Sequence, residues 1–230
     1  MPKYSKTIIC LANSRKMSGR CIAGKSYENG EPREWVRPVS ARDHEEISEE
    51  DRRYENGDRA DLLDVVRVPM LEPRPHTYQT ENHLIDEQCY WSKEGRADWA
   101  LLTSSLDNHL TTLWQNGYSS YSGINDRVPL ALANAENASL AFIAVDQVSV
   151  LASAEGIDFG DMKRKVRARW VWRGNQYAVR VTDPEIERLA LSNLAKACEL
   201  GSAYICVSLG EPYNDFAYKL AAAIITPTRV

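Results

Sequence analysis

The sequence has few of the features that mark membrane, secreted and disulfide-stabilised proteins. No apolar run approaches the ~20 residues that a membrane-spanning helix needs, and the N-terminus lacks the long apolar segment of a signal peptide. The five cysteines are scattered, odd in number and form no C-x-x-C pair. We therefore expect no membrane association and a reduced, cytoplasmic protein.

Common signatures of catalysis and metal binding are also missing. The sequence contains no G-x-S-x-G, H-E-x-x-H or P-loop motif. The spacing of His76, His83 and Cys89 matches no zinc site, so we predict neither a metal nor a cofactor. The formal net charge of −4 argues against a strongly basic nucleic-acid-binding protein, although a local cationic patch can still bind a polyanion.

What the sequence does contain is a series of short apolar runs bounded by turn residues. Its 230 residues, 43% of them hydrophobic, suit one large or two small domains. In the first half we predict a charged helix or loop at 42–55 and strands near 6–12, 20–27, 34–39, 61–69 and 76–86. In the second half we predict strands at 140–152, 165–172, 176–182, 203–209 and 216–226. A helix with an apolar stripe through Ile186, Leu189 and Leu194 is predicted to begin at 182–185 and end at Gly201.

The predicted order of elements in residues 140–226 is β-β-β-α-β-β. This is the order of an OB-fold, a five-stranded Greek-key barrel, although other small mixed barrels share it. The first 90 residues allow the same order, with the acidic segment in the helix position. We predict a mainly β protein with some α structure: OB-like barrels at 1–95 and 128–230, joined by a bridging helix and loop at 96–127. Helical spacing in that link predicts that Trp99, Leu106 and Leu113 are buried.

The stretch CLANSRKMSGRCIAG, residues 10–24, places many polar groups between two predicted strands. In an OB-fold this connection helps to bind ligands. Cations beside amide and hydroxyl donors suit phosphate oxygens, and the ligand-binding residues predicted here are Asn13, Ser14, Arg15, Lys16 and Arg20. The alternative is a solvated hairpin whose cations pair with the acidic segment at 45–51.

Two further ligand-binding residues, Trp35 and Arg37, alternate on one face of the next strand. They are suited to stack on a base and to contact a phosphate, respectively. The alternative is that the indole fills the barrel and the guanidinium forms an internal ion pair.

The most basic stretch of the sequence, residues 163–180, contains seven cations and no acid. Strand alternation turns Trp170 and Trp172 toward the core and the arginines toward water. The second and third strands form the ligand face of an OB barrel, so a nucleic-acid backbone is the predicted partner of Arg167, Arg169, Arg173 and Arg180. The alternative is a solvated surface guarded against aggregation.

The residue 10–24 stretch, EWVRPVS at 34–40 and VSLGEPYNDFAYKLAAAII at 207–225 together resemble the bacterial dual OB domain-containing proteins. The resemblance covers almost the whole chain. It implies two OB folds, a link to prokaryotic conflict and defence systems, and nucleic acid or nucleotides as ligands. It transfers no catalytic residues.

Three functions are compatible with these observations. The first is a module that binds single-stranded nucleic acid or a nucleotide. The second is an enzyme acting on a nucleotide, with a small pocket formed by Asn13, Lys16, Glu211 and Lys219. The third is a subunit whose barrels contact a partner protein. Salt-dependent binding, turnover of a nucleotide and stable co-purification of a partner would distinguish them.

Overall fold

A computed structural model describes residues 3–156 and 161–230 of the protein. The chain divides into two compact units, the first ending at Leu106 and including Val230, the second spanning Asp107–Arg229. None of the helices in the described ranges is long and apolar enough to cross a membrane.

The first unit contains six strands. They are β1 (Tyr4–Lys16), β2 (Gly19–Glu28), β3 (Glu31–Val39), β4 (Asp64–Pro73), β5 (Asn82–Ile85) and β6 (Ser92–Arg96). The first five pair in the order β1-β2-β3-β5-β4, and β4 pairs back with β1, so the sheet closes into a barrel. Strands β3 and β5 are parallel, the other neighbours are antiparallel, and β6 extends the sheet beside β4. This is the predicted OB arrangement.

Close approach of the backbones fixes one position in this barrel as glycine. A Cβ atom built on Gly24 in β2 would lie 2.0 Å from the carbonyl oxygen of Ile9 in β1. The two strands shift register by one residue between Cys10 and Ala12, next to this contact. A side chain at position 24 would therefore push the first two strands of the barrel apart.

The acidic segment between β3 and β4 is a loop that contains one short 3-10 stretch, Asp43–Glu45, and no α-helix. It is not fully exposed, because Ile47 and Tyr54 belong to the core of the first unit. The backbone of Ile47 exchanges two hydrogen bonds with that of Arg20, both 2.8 Å long. Asp51 is buried and accepts hydrogen bonds from the guanidinium of Arg42. These contacts close the end of the barrel in the position where an OB-fold has its helix.

The second unit repeats the arrangement. Its strands are β7 (Arg127–Pro129), β8 (Leu140–Gly156), β9 (Asp161–Trp172), β10 (Asn175–Val181), β11 (Cys198–Tyr213) and β12 (Phe216–Ile225). Five of them pair in the order β10-β9-β8-β11-β12, and the ring closes through a parallel ladder of only two residue pairs between β10 and β12. Two segments that precede β8 in the sequence add to this sheet: Ile124 forms an isolated bridge with Ala178 on β10, and β7 pairs with β12. Residues 124–129 thus pair with β10 and with β12, the two strands that form the short closing ladder.

The bridging helix and the helix between β10 and β11 are shorter than predicted, and a further short helix was not predicted. Helix α1 covers only Trp99–Ser104, and α2 covers Leu130–Ala133. Of the predicted buried residues of the link, Leu113 is buried, whereas Trp99 and Leu106 are half-buried. Helix α3 (Pro184–Ser192) lies between β10 and β11 as predicted, with the Asp183 carboxylate capping its first turn. It ends nine residues before Gly201, and Leu189 and Leu194 are exposed, so the predicted apolar stripe is wrong.

Candidate nucleic-acid interface

Strand alternation on β9 separates its aromatic and cationic residues as predicted. Trp170 and Trp172 are buried in the core of the second unit. Arg169 and Arg173 are exposed, as is Val171 between them. The outer surface of β9 therefore carries exposed arginines around Val171, and we call this surface, together with the adjoining outer surfaces of β8 and β10, the β8–β10 face.

Arg169 lies at the centre of the β8–β10 face. It is opposite Ser149 on β8 and Ala178 on β10. Two clefts of about 560 and 590 Å³ flank it, and both are lined by Arg169 and Ile124. Within the described part of the chain, the Arg169 side chain makes no hydrogen bond and no ion pair. Its guanidinium is thus available to a ligand entering either cleft.

Arg167 corrects the predicted row of outward arginines. Its Nε and Nη2 atoms donate to the two carboxylate oxygens of Glu155, at 2.6 and 3.0 Å. Its Nη1 atom donates to Asp126 at 3.0 Å. The side chain is mostly buried and is held between two carboxylates. The expectation that Arg167 stands in water is therefore wrong, because its partners come from β8 and from the segment before β7.

The other two predicted arginines are exposed. Arg173, in the turn between β9 and β10, donates to the carbonyl of Asn108 and lies 5.1 Å from the centroid of the Trp172 ring. Arg180 on β10 is directly opposite Arg167. Because Arg167 is already neutralised by two carboxylates, Arg180 does not face an uncompensated like charge.

The clefts beside Arg169 are also lined by side chains that the sequence did not mark as ligand-binding. Tyr121 is 83% exposed and lies in the first cleft. Trp170 lines the second cleft, and its buried Nε1 donor has no hydrogen-bond partner among the described residues. A phenol ring and an unused indole N–H complement the arginine with stacking surface and a hydrogen-bond donor. The one available signal was a tyrosine within a Gly-, Ser- and Asn-rich loop.

The hairpin between β11 and β12 carries a further set of aromatic residues. Asn214 and Asp215 form its turn with left-handed backbone angles. Tyr213 beside the turn is exposed, and its ring centroid lies 6.5 Å from that of Tyr218. The guanidinium of Arg127 lies 4.1 Å from the centroid of the Phe216 ring. In OB-folds this hairpin is one of the two ligand loops.

In the first unit, the predicted polar loop is instead the paired end of a hairpin. Strand β1 runs to Lys16 and β2 starts at Gly19, so only two residues form the turn. Asn13 and Ser14 are buried within β1, and the amide of Asn13 donates to Asp61 at 3.1 Å. These two side chains are not loop donors as predicted.

The cations of this hairpin differ in exposure. Arg15 is exposed, whereas Lys16 and Arg20 are half-buried. Arg20 contacts the carboxylate of Glu49 at 3.3 Å. Glu46 accepts from the backbone and hydroxyl of Ser18, and these hydrogen bonds lower the pKa of its carboxyl group. The alternative of pairing with the acidic segment therefore holds for Arg20.

The two predicted residues of β3 lie in different environments. Arg37 is buried and forms an ion pair of 3.1 Å with Glu81, so the expected phosphate contact at this position is wrong. Trp35 is half-buried outside the core of the first unit, with the ammonium of Lys25 lying 4.7 Å from its ring centroid. Among the described residues, no three His, Cys, Asp or Glu side chains are placed to hold a metal ion.

The chain as a whole matches a family model described as the dual OB-containing domain, over residues 6–224. The protein belongs to this family. Neither a curated protein nor a solved structure matches the chain. The fold of the family is one that binds oligonucleotides and oligosaccharides through the face of its second and third strands. In the second unit those strands are β9 and β10, which carry Arg169 and Arg180, with Arg173 in the turn between them.

Proposed function

We propose that the protein binds single-stranded nucleic acid on the β8–β10 face of its second barrel. The observation that carries this proposal is Arg169, an exposed guanidinium without a partner in the described chain, shared by two adjoining clefts. Arg180 on β10 and Arg173 in the β9–β10 turn extend the cationic surface. Tyr121 supplies an exposed ring beside it. Phosphate contacts next to a stacking ring are the combination that binds single strands without sequence preference.

The mechanism that we propose is electrostatic. Arginines contact phosphates and release the counterions condensed on the strand, while bases stack on Tyr121 and on the exposed Tyr213 of the β11–β12 hairpin. The rival enzyme hypothesis places Lys219 in a nucleotide pocket. Lys219 is fully buried in β12, so its position does not favour that hypothesis.

We expect Arg169→Ala to weaken binding of a labelled homopolymeric single strand and to lower the slope of log K against log salt by roughly 0.7, the value for one phosphate. The loss should be similar for all base compositions, because a backbone contact carries no sequence information. Fluorescence anisotropy across a salt series measures both quantities.

The matched control is Arg188→Ala. Arg188 is exposed on α3, lines neither cleft and carries the same charge. The Arg188→Ala variant should keep the salt slope of the parent. A slope that falls equally in both variants would reflect only the change in the net charge of the protein. Parent-like binding of Arg169→Ala at every salt concentration would remove the β8–β10 face from the site.

The hairpin of the first barrel is a second contact in this proposal. Arg15 is its most exposed cation, and we expect Arg15→Ala to weaken binding by about 1.5–3 kcal/mol if its guanidinium holds a phosphate. Arg20→Ala should lose less, because Arg20 is less exposed than Arg15 and its guanidinium contacts the Glu49 carboxylate. Calorimetry with the same strand measures the two losses, and equal affinities in parent and variants would restrict the interface to the second barrel.

A further inference from the structure

Arg127, the first residue of β7, carries a guanidinium that no described residue binds. Within the described ranges its side chain forms no hydrogen bond and no ion pair. The preceding residue, Asp126, is buried and already paired with Arg167. Asp215 is exposed in the β11–β12 turn and meets β7 only through its backbone carbonyl, which accepts from the N–H of Leu130. Arg127 is therefore a cation that the described part of the barrel leaves without a carboxylate partner.

The contacts of this guanidinium leave one edge of it to a ligand. Its central carbon lies over the Phe216 ring, 4.1 Å from the ring centroid, which holds the side chain in place. Its Nε atom is buried and has no hydrogen-bond partner among the described residues. The two Nη atoms have no partner there either, but they are accessible to solvent. A ligand can therefore reach the guanidinium at its two Nη donors.

The surroundings of Arg127 favour a base over a phosphate as that ligand. Two parallel N–H donors match two neighbouring acceptors, which both a phosphate and the N7 and O6 atoms of guanine present. The ring centroid of Tyr118 lies 6.4 Å from that of Phe216, and the ring of Tyr118 is exposed. A base can stack on such a ring while its edge faces the guanidinium, whereas a phosphate gains nothing from it.

The segment that carries Arg127 also borders the β8–β10 face. Ile124 lies in this segment, lines both clefts beside Arg169 and bridges to Ala178 on β10. The segment then enters β7, where Arg127 is directly opposite Tyr218 on β12. A strand that lies on the β8–β10 face and continues along this segment therefore reaches Arg127.

We infer that Arg127 recognises one guanine of the bound strand, with its two Nη atoms donating to N7 and O6 and the base stacked on Tyr118. The inference rests on the strand binding proposed above and adds a preference for one base to it. Strand β7 lies outside the five strands that close the barrel, so Arg127 acts separately from the arginines of β9 and β10.

The test is an anisotropy titration of the full-length protein with a fluorescent thymidine strand in which one guanine is placed at each position in turn. We expect one position at which guanine binds about 5- to 150-fold more tightly than thymine or adenine. Hypoxanthine retains N7 and O6 and should retain this gain there. 7-Deazaguanine lacks the N7 acceptor and should lose most of it. These changes leave the phosphates untouched, so they separate a contact to the base from a contact to the backbone.

The variants then assign the gain to one side chain. Arg127→Lys keeps the charge but not the planar pair of donors, so it should lose the gain from guanine and retain the salt slope of the parent. Arg188→Ala removes an exposed arginine of α3 and should retain the gain. Arg169→Ala should bind every strand more weakly and still prefer guanine. A melting curve of Arg127→Lys shows whether the barrel remains folded, and the modified bases test the parent protein independently of that result.

Three results would overturn the inference while leaving the proposed function standing, provided that strand binding still depends on Arg169. They are that no position prefers guanine, that 7-deazaguanine binds as tightly as guanine, and that folded Arg127→Lys keeps the gain. If the protein binds none of the strands, both the proposed function and this inference are wrong.

Discussion

Replacing Trp170 with alanine is expected to lower the free energy of unfolding of the second unit by about 3–5 kcal/mol. The indole lies in the core of that unit and stacks on Tyr177, with ring centroids 5.6 Å apart and an interplanar angle of 21°. Its removal leaves a cavity in a close-packed core. The strands cannot move together to fill this cavity, because pairing between β10 and β12 closes the barrel. Urea denaturation monitored by circular dichroism measures the loss.

The neighbouring residue provides the matched control. Val171 is 58% exposed on the opposite face of the same strand, so Val171→Ala should change the free energy of unfolding by less than about 0.5 kcal/mol. If Trp170→Ala instead retained its stability and lost oligonucleotide binding, the two faces of β9 would be reversed, and the tryptophans would be the stacking surface.

The faces of β9 were predictable because a strand has a period of two and the apolar and cationic residues alternate with it. The pattern placed Trp170, Trp172, Arg169 and Arg173 correctly. It failed for Arg167, whose two carboxylate partners lie 12 and 41 residues away in the sequence. Alternation predicts a face, whereas solvation also depends on what other segments place over that face.

The predicted bridging helix failed for a comparable reason. Its apolar spacing is helical through Leu113, yet α1 ends at Ser104. Asp107 exchanges hydrogen bonds with the backbone of Phe142 in β8, at 2.8 and 2.9 Å, and this contact removes the chain from the helical path. Leu113 is then buried in the second core from an irregular segment. Tertiary hydrogen bonds to a strand distant in the sequence outweighed the modest local preference of this segment for a helix.

Candidate site residues were predictable only where they stood in a recognisable charge pattern. The arginines of 163–180 formed such a pattern. Tyr121 did not, since the cleft that it lines forms only where residues 121–124 lie beside β8 and β9. The family match supports the fold of the whole chain and assigns no role to any of these side chains.

Lys219 gives the protein a dependence of stability on pH that is expected to be large. The side chain is 1% exposed within β12, donates to the Gln115 carbonyl and the Asn116 amide oxygen at 3.1 Å each, and lies 5.4 Å from the centroid of the Tyr177 ring. Burial lowers the pKa of its ammonium group from 10.5 to about 7, against the attraction of Asp126. The folded chain therefore gives up this proton before the unfolded chain does.

The sign of the effect follows from which state holds the proton. Below the folded pKa of about 7 both states are protonated and the lysine contribution is constant. Between there and 10.5 the unfolded chain binds more protons, so stability rises with pH. The rise is about 2 kcal/mol between pH 7 and pH 9, and it approaches about 5 kcal/mol above the unfolded pKa.

We expect Lys219→Met to remove that rise. Methionine keeps the length and apolar stem of the side chain and has no proton to lose, so its free energy of unfolding should be flatter than the parent's by about 2 kcal/mol from pH 7 to pH 9. Lys196→Met, which replaces an exposed lysine of the same unit, should follow the parent curve. Urea denaturation of the three proteins across this range measures the difference. Parallel curves for Lys219→Met and the parent would show that Lys219 keeps its proton in the barrel, held by the Gln115 and Asn116 oxygens and by Asp126.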